Sequence, residues 1–164
     1  MNPLTRLNRI LSRWTLYLAC LCLAGLLSVV IYGVVMRYVF NDAPSYVEQV
    51  ALLLVVSVAM FGASAGVRDA GHIGLDSLVK VLPAKVQFWC KLLVNLLVIG
   101  FALALLAGGT LMAISTYAST IPTLGLSEAF RYLPVLISGV LIILFSIEHL
   151  LAQFSGEKVA PSWH

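Results

Sequence analysis

Four long segments with an uncharged, apolar middle decide what this chain can fold into. They cover 14–36, 49–67, 92–117 and 129–152. A helix needs about 20 mostly apolar residues to cross the hydrocarbon core of a bilayer. The fourth segment meets this requirement if Glu148 and His149 lie at the level of the lipid headgroups. The sequence therefore predicts an all-α membrane protein with four transmembrane helices in one domain, 1–164.

Composition excludes the other broad classes of protein. Charged residues make up 10% of the 164 residues and hydrophobic residues 61%, whereas charged residues make up roughly 25% of an average soluble domain. A chain this apolar is neither an ordinary soluble domain nor a disordered one. Its formal net charge of +3 is too small and too dispersed for a surface that follows nucleic-acid phosphates.

The distribution of Lys and Arg predicts the orientation of the helices. Membrane proteins retain these residues in their cytoplasmic loops. Eight of the ten lie on one side of the four predicted spans, and the other two, Arg37 and Arg131, lie on the opposite side. We therefore predict that both termini are cytoplasmic and that 37–48 and 118–131 form the outer connections.

The cytoplasmic segment 73–91 is amphipathic. One helical stripe in it is apolar, comprising Leu75, Leu78, Val79, Leu82, Val86 and Trp89. Pro83 interrupts the pattern and fits the first turn of a new helix that continues into the third span. We predict a broken amphipathic helix in the cytoplasmic interface, which either rests on lipid or packs against another subunit.

A second amphipathic pattern precedes the first span. Its apolar stripe is Leu4, Leu7, Leu11 and Trp14, and the opposite side carries Arg6, Arg9 and Arg13. Two interpretations remain open for this segment. It is either an interfacial helix on anionic lipid or a basic tail that only enforces the topology.

Glu48 has three possible roles at the start of the second helix. Ser45 and Glu48 have the spacing of a capping box, in which the acid returns a hydrogen bond to the backbone. Glu48 also lies within reach of an ion pair with Arg37 across the turn. We favour these structural roles over direct contact with a substrate, because acids at helix starts are usually caps. Ser127 is the expected cap of the fourth helix.

Small residues recur at four-residue spacing in two of the predicted helices. Gly62 and Gly66 lie in the second helix, and Gly100, Ala104 and Gly108 lie in the third. In lipid, small residues allow helix backbones to approach closely. The pattern therefore predicts tight helix packing, either within the chain or against a partner.

No predicted span has an ionisable residue near its middle, where ion-coupled transporters and membrane enzymes usually keep one. Asn95, Ser57 and Ser64 are polar residues inside spans, and we expect them to form hydrogen bonds between helices. His72, His149 and His164 are too far apart to suggest a metal site. No motif for a cofactor, phosphate loop or catalytic triad is present, so we expect no enzyme activity, no metal and no cofactor.

Several motifs together resemble the small permease subunit of tripartite ATP-independent periplasmic (TRAP) transporters. They are Arg37-Tyr-Val-Phe-Asn41, Pro44-Ser45-x-x-Glu48, Gly62-x-x-x-Gly66-Val-Arg68-Asp69-x-Gly71-His72-Ile73, Leu82-Pro83 and Pro122-Thr-Leu-Gly125. The resemblance extends over nearly the whole chain. One departure concerns the second helix, which often begins with two adjacent acids in this family, because here Gln49 follows Glu48.

The resemblance implies a subunit of a secondary transporter for organic acids in the bacterial inner membrane, usually driven by a sodium gradient. A periplasmic protein would deliver the substrate to a large permease, and the small subunit would support that permease within the membrane lipids. Arg37, Glu48, Arg68 and His72 match the family pattern, which implies structural or partner-contacting roles.

Two other classes compete with this interpretation. A self-sufficient four-helix exporter would need a carboxylate within the membrane for proton coupling, and helix 1 has none. A membrane enzyme or electron-transfer anchor would need buried histidine ligands or an acid–base pair, which the spans also lack.

Overall fold

A computed structural model describes residues 3–42, 44–69, 83–121 and 125–155 of the chain. Four long helices dominate it: α1 (Pro3–Val39), α2 (Ser45–Asp69), α3 (Ala84–Ser115) and α4 (Leu133–Ser155). All four, with α4 extended by a short 3₁₀ helix at Glu128–Tyr132, are long and apolar enough to cross a membrane. The prediction of an all-α protein with four transmembrane helices is therefore confirmed.

The helices form a row of packed pairs. α2 packs against both α1 and α4, and α4 packs against both α2 and α3. Arg68 near the end of α2 marks one end of this bundle, and Arg37 near the end of α1 marks the other. We call these the Arg68 end and the Arg37 end.

Helix α1 is longer than a single crossing requires. It contains 37 residues, which at about 1.5 Å per residue is roughly 55 Å, against a hydrocarbon core of about 30 Å. In its first turns the face toward the other helices is polar, because Asn8, Ser12 and Thr15 are buried. Leu7 and Trp14, from the predicted apolar stripe, are exposed instead. The face of α1 that carries Asn8, Ser12 and Thr15 therefore packs against the other helices.

The turn between α1 and α2 is tight. Asn41 adopts the left-handed backbone conformation with φ of 53°, which asparagine tolerates better than most residues. The amide of Asp42 donates to the carbonyl of Met36, 3.1 Å away. A Cβ added at Gly33 would lie 2.7 Å from Cγ1 of Val47. Glycine therefore permits the close approach of α1 and α2 near this turn.

Ser127 caps the 3₁₀ helix that leads into α4. Its hydroxyl accepts a hydrogen bond from the amide of Ala129 at 3.3 Å and donates to the carbonyl of Tyr117 at 2.8 Å. The sequence correctly identifies Ser127 as a cap, although α4 itself begins at Leu133. The hydroxyl thus joins the chain just after α3 to the 3₁₀ helix before α4.

The interfacial helix predicted over 73–91 lies mostly outside the described residues, since 70–82 are not among them. Within the described part, α3 begins directly after Pro83 and continues without a break past Lys91. Residues 84–91 are therefore the first turns of the third helix.

Candidate functional site

A cluster of buried charged side chains lies at the Arg68 end of the bundle. We call Ser12, Arg68, Asp69 and Glu148 the ion cluster. Arg68 donates from Nε to Oε2 of Glu148 at 3.1 Å, from Nη2 to Oε1 of Glu148 at 3.2 Å, and from Nη1 to Oδ1 of Asp69 at 2.8 Å. The hydroxyl of Ser12 donates to Oδ2 of Asp69 at 2.6 Å. All four carboxylate oxygens thus accept a hydrogen bond.

Three helices contribute to the ion cluster. Ser12 comes from α1, Arg68 and Asp69 from the last turn of α2, and Glu148 from α4. The side chains of Arg68, Asp69 and Glu148 are 0%, 1% and 3% exposed. His149 adds a further link, because its Nε2 lies 3.0 Å from the carbonyl oxygen of Arg68. The cluster therefore fixes the rotation of α1, α2 and α4 relative to one another.

Burial makes the ion cluster sensitive to the loss of any one charge. Charges removed from water are tolerated when they are paired and fully hydrogen-bonded. Arg68 supplies a bidentate contact to Glu148, the geometry for which a guanidinium is better suited than an ammonium. Removal of one partner leaves a buried charge without compensation, which costs about 3–5 kcal/mol.

A second set of polar contacts joins α3 to α4 at the same end. The side-chain amide of Gln153 donates to the carbonyl of Phe88 at 2.8 Å, and Asn95 donates to Oε1 of Gln153 at 3.5 Å. The prediction that Asn95 forms a hydrogen bond between helices is confirmed. The polar contacts of the Arg68 end thus reach all four helices.

The same prediction is wrong for Ser57 and Ser64. Ser57 donates to the carbonyl of Leu53 at 2.7 Å, and Ser64 donates to the carbonyl of Phe61 at 2.9 Å. Both acceptors belong to α2 itself. A serine hydroxyl in a helix reaches the carbonyl one turn earlier, so it needs no neighbouring helix.

The sequence-predicted residues fall into separate places. Arg68 belongs to the ion cluster, whereas Arg37 and Glu48 lie at the opposite end, where Nη2 of Arg37 is 3.6 Å from Oε1 of Glu48. Their side chains are 59% and 74% exposed. His72 lies outside the described residues. Of the three positions that the structure describes, it brings together Arg37 and Glu48 and places Arg68 apart from them.

Glu148, Asp69 and Ser12 were missed as site residues. The sequence predicts Glu148 at the headgroup level, but its side chain is buried against Arg68. A usable signal existed, because the orientation predicted from Lys and Arg places Arg68 and Glu148 at the same end of their helices with opposite charge. The polar residue Ser12 gives no comparable signal in the sequence.

The predicted small-residue contacts are not made within the described chain. A Cβ added at Gly62, Gly66, Gly100 or Gly108 would meet no atom within 4 Å, and Ala104 is exposed. Other glycines have that role between α3 and α4. A Cβ at Gly139 would lie 2.9 Å from Cγ of Leu106, and one at Gly109 would lie 3.2 Å from Cδ2 of Leu136.

Arg131 connects α2 to the 3₁₀ helix that precedes α4, at the Arg37 end. Its Nη1 donates to Oε1 of Glu128 at 3.2 Å, and its Nη2 donates to Oε1 of Gln49. Gln49 is the position at which the resembling family often has a second acid. The amide oxygen of Gln49 therefore accepts a hydrogen bond from a guanidinium that would equally donate to a carboxylate at this position.

We predict that Gln49→Glu stabilises the protein by up to about 1 kcal/mol, the range of a partly exposed ion pair. The new carboxylate would accept the hydrogen bond from Arg131 as an anion, and charge-assisted hydrogen bonds are stronger than neutral ones. The measurement is the midpoint of unfolding in detergent at neutral pH. The control is Gln49→Glu in an Arg131→Gln background, where the gain should disappear. An equal gain in that background would contradict the assigned contact.

The described residues provide little for substrate or metal chemistry. They include no group of three or more His, Cys, Asp or Glu side chains that could hold a metal ion. A cavity of about 570 Å³ near the Arg37 end is lined mainly by apolar residues, among them Ile114, Phe130 and Leu133. A second cavity of about 440 Å³ contains Arg37 and Glu48, which are paired with each other.

These features define a class of protein: a multi-pass, four-helix membrane protein whose Asp, Glu, Lys, Arg and His residues within the described helices lie toward the helix ends. The family model for the DctQ component of tripartite ATP-independent periplasmic transporters matches residues 26–156. The chain belongs to this family, which confirms the resemblance found in its sequence. It is therefore a component of a transporter and a multi-pass protein of the bacterial inner membrane.

Individual relatives agree with the family. A Haemophilus influenzae protein named as a TRAP transporter small permease is 30% identical over 135 residues, which cover 80% of this chain and 81% of that protein. The C4-dicarboxylate TRAP transporter small permease protein DctQ of Vibrio cholerae is 32% identical over 76 residues, 46% of this chain and 33% of the relative. The sialic acid TRAP transporter permease protein SiaT of Haemophilus influenzae is 35% identical over 81 residues, 46% of this chain and 13% of the relative.

Proposed function

We propose that this chain is the scaffold for a large multi-spanning permease in a sodium-coupled uptake system for organic acids. In this proposal a periplasmic binding protein delivers the substrate, and the large permease binds both the substrate and the coupling ion. The small chain holds that permease in place in the membrane. Both termini are cytoplasmic, which places the ion cluster at the cytoplasmic end and the contact of Arg37 with Glu48 at the periplasmic end.

The observation that carries the proposal is the position of the charged side chains. Transporters that couple an ion keep ionisable residues at membrane depth, facing a cavity. Here the middles of the four helices contain no Asp, Glu, Lys, Arg or His. The buried carboxylates of Asp69 and Glu148 already accept hydrogen bonds at every oxygen. The chain is therefore poorly equipped to couple an ion alone. The ion cluster holds its helices together, which suits it to support a partner.

The names of the relatives support the substrate class. They refer to sialic acid and to C4-dicarboxylates, and both kinds of molecule carry a carboxylate at neutral pH. The match to SiaT covers only 13% of that permease. A segment resembling this chain thus lies within a much longer permease, which favours a close association between small and large parts.

The outward small residues are the contacts that we assign to the partner. Gly100, Ala104 and Gly108 on α3, and Gly62 and Gly66 on α2, have free space where a side chain would point or are exposed. Such positions let a helix of another subunit approach closely. Arg37, Glu48, Arg68 and His72 keep the structural or partner-contacting roles implied by the family pattern.

The test is purification of the tagged chain from its native membrane in mild detergent. We expect one large polytopic protein to co-purify in a fixed ratio. Ala104→Leu should lower that ratio severalfold without lowering the stability of the chain itself, whereas Ala24→Leu, on an exposed position of α1, should leave it unchanged. Recovery of the chain without any polytopic partner would refute the proposal.

Reconstitution separates the scaffold from the self-sufficient exporter. The chain alone in liposomes should move neither an organic acid nor a cationic drug in response to a sodium or proton gradient. Liposomes that also contain the co-purified permease and its binding protein should take up an organic acid when sodium is applied outside. Transport by the single chain would favour the exporter instead.

A further inference from the structure

The first turns of α1 present an unusual surface to their surroundings. Their inward face is polar, with Asn8, Ser12 and Thr15 only 1%, 0% and 5% exposed. The outward face is apolar and aromatic; we call it the α1 outward face, and it consists of Leu7, Ile10, Trp14 and Tyr17, which are 54%, 48%, 70% and 67% exposed. Trp14 begins the predicted span, so this face extends from the membrane boundary out of the hydrocarbon core.

Two arginines accompany the α1 outward face. Arg6 is exposed and Arg9 is half-buried, although the Nε of Arg9 is itself buried and has no hydrogen-bond acceptor in the described part of the chain. Arg13 has a contact of its own within the chain, so the inference rests on Arg6 and Arg9. An arginine guanidinium pairs well with phosphate, because several of its N–H groups can be shared between the phosphate oxygens.

We propose that the α1 outward face, with Arg6 and Arg9, binds anionic phospholipids of the cytoplasmic leaflet. Trp and Tyr are enriched at the headgroup level, where their rings contact apolar chains and their polar atoms meet water. Arginines just outside that level face the lipid phosphates. The cytoplasmic leaflet carries negative surface potential, which attracts basic segments next to a span. The inference rests on the cytoplasmic placement of this end in the proposed function.

The packing of α1 favours lipid over a protein partner at this surface. The polar face is already used, because Ser12 is bonded to Asp69 and Asn8 donates to the carbonyl of Leu144 at 3.4 Å. The outward surface has aromatic rings at the membrane boundary and cations farther from the hydrocarbon core. A lipid leaflet has the same order, with acyl chains inside and phosphates outside. A contact with a helix of another subunit would instead favour small residues, and the α1 outward face has none.

The test uses Trp14 as its reporter in the full chain. Trp89→Phe and Trp163→Phe leave Trp14 as the single tryptophan, and the protein is reconstituted in vesicles of phosphatidylcholine and phosphatidylglycerol. Bromine on the acyl chains of one lipid at a time quenches the nearby tryptophan, which gives the relative binding constant of the two lipids there. We expect phosphatidylglycerol to be preferred, and the combined change Arg6→Gln and Arg9→Gln to lower the preference about fivefold per arginine.

Two controls sharpen the result. Lys85→Gln removes a cation from an exposed position at the same end, at the start of α3, and should leave the preference at Trp14 unchanged. A tryptophan placed by Tyr117→Trp in a chain without other tryptophans reports on the opposite end, where Tyr117 is 75% exposed, and should show no preference.

Any one of three results in the vesicles would overturn the inference: equal quenching of Trp14 by both lipids, an unchanged preference after loss of Arg6 and Arg9, or the same preference at position 117. Shielding of Trp14 from both lipids in the purified complex with the large permease would also overturn it, because the face would then be a protein interface. The vesicles contain the small chain alone, so failure here is distinguishable from failure to recover a permease.

Discussion

Arg68→Gln is expected to lower the free energy of unfolding by about 3–5 kcal/mol, the cost of leaving a buried ion without its partner. The Arg68 side chain is 0% exposed and holds two carboxylates on two helices. Glutamine removes the charge and the bidentate geometry together, so Asp69 and Glu148 would face each other without a cation between them. The measurement is unfolding by SDS in mixed micelles, followed by circular dichroism.

The matched control is Arg37→Gln. It removes the same charge by the same substitution, but from a pair with side chains 59% and 74% exposed and 3.6 Å apart. Exposed pairs contribute between about 0 and 1 kcal/mol, so this variant should unfold close to the wild type. Similar losses for Arg68→Gln and Arg37→Gln would contradict the burial of the ion cluster.

Two further variants keep this prediction testable if Arg68→Gln does not fold. Arg68→Lys retains the charge but not the bidentate contact to Glu148, so its loss should be intermediate. The combination of Arg68→Met, Asp69→Asn and Glu148→Gln removes every charge of the cluster, and it should regain most of the stability lost in Arg68→Gln. A combined variant less stable than Arg68→Gln would show that the charges themselves contribute net stability.

The helices were predictable because each rests on a property of a continuous segment. A long uncharged apolar run has few alternatives to a transmembrane helix, since every backbone group within the bilayer must be hydrogen-bonded. Local signals such as Ser127 before Glu128, and Pro83 at the start of α3, are likewise read within a few residues. These features depend on no contact with a distant part of the chain.

Only the shared end of Arg68 and Glu148 was predictable for the ion cluster, because the contacts themselves depend on how separate helices are rotated and aligned. Arg68 and Glu148 are 80 residues apart in sequence, and each is also compatible with a position among the headgroups. The spacing of residues along α1 cannot show which face of this helix packs against α2, and therefore cannot show that Ser12 lies next to Asp69. The amphipathic pattern before the first span gave no indication of this contact, because neither its apolar stripe nor its arginines include Ser12.

Glycine positions show the same limit. Gly62-x-x-x-Gly66 has the spacing of a close helix contact and makes none within the described chain, whereas Gly33, which lies in no such pattern, faces Val47 directly. The spacing of small residues shows where another helix backbone has room to approach. Which helix lies there depends on how the whole helices pack. Outward glycines are therefore available to a partner, and inward ones are fixed by the fold.

Gly33→Ala is expected to lower the free energy of unfolding by about 1–3 kcal/mol, the usual cost of overpacking. Its Cβ would lie 2.7 Å from Cγ1 of Val47, and a β-branched side chain has few alternative rotamers. α1 and α2 would have to separate near their turn. Val47→Ala in the same chain should restore much of the loss, because it removes the opposing methyl groups.

Gly100→Ala is the control: a Cβ there meets no atom within 4 Å, so this variant should keep or slightly gain stability from the better helix propensity of alanine. If Gly33→Ala and Gly100→Ala shift the SDS midpoint equally, the close approach of α1 and α2 is wrong.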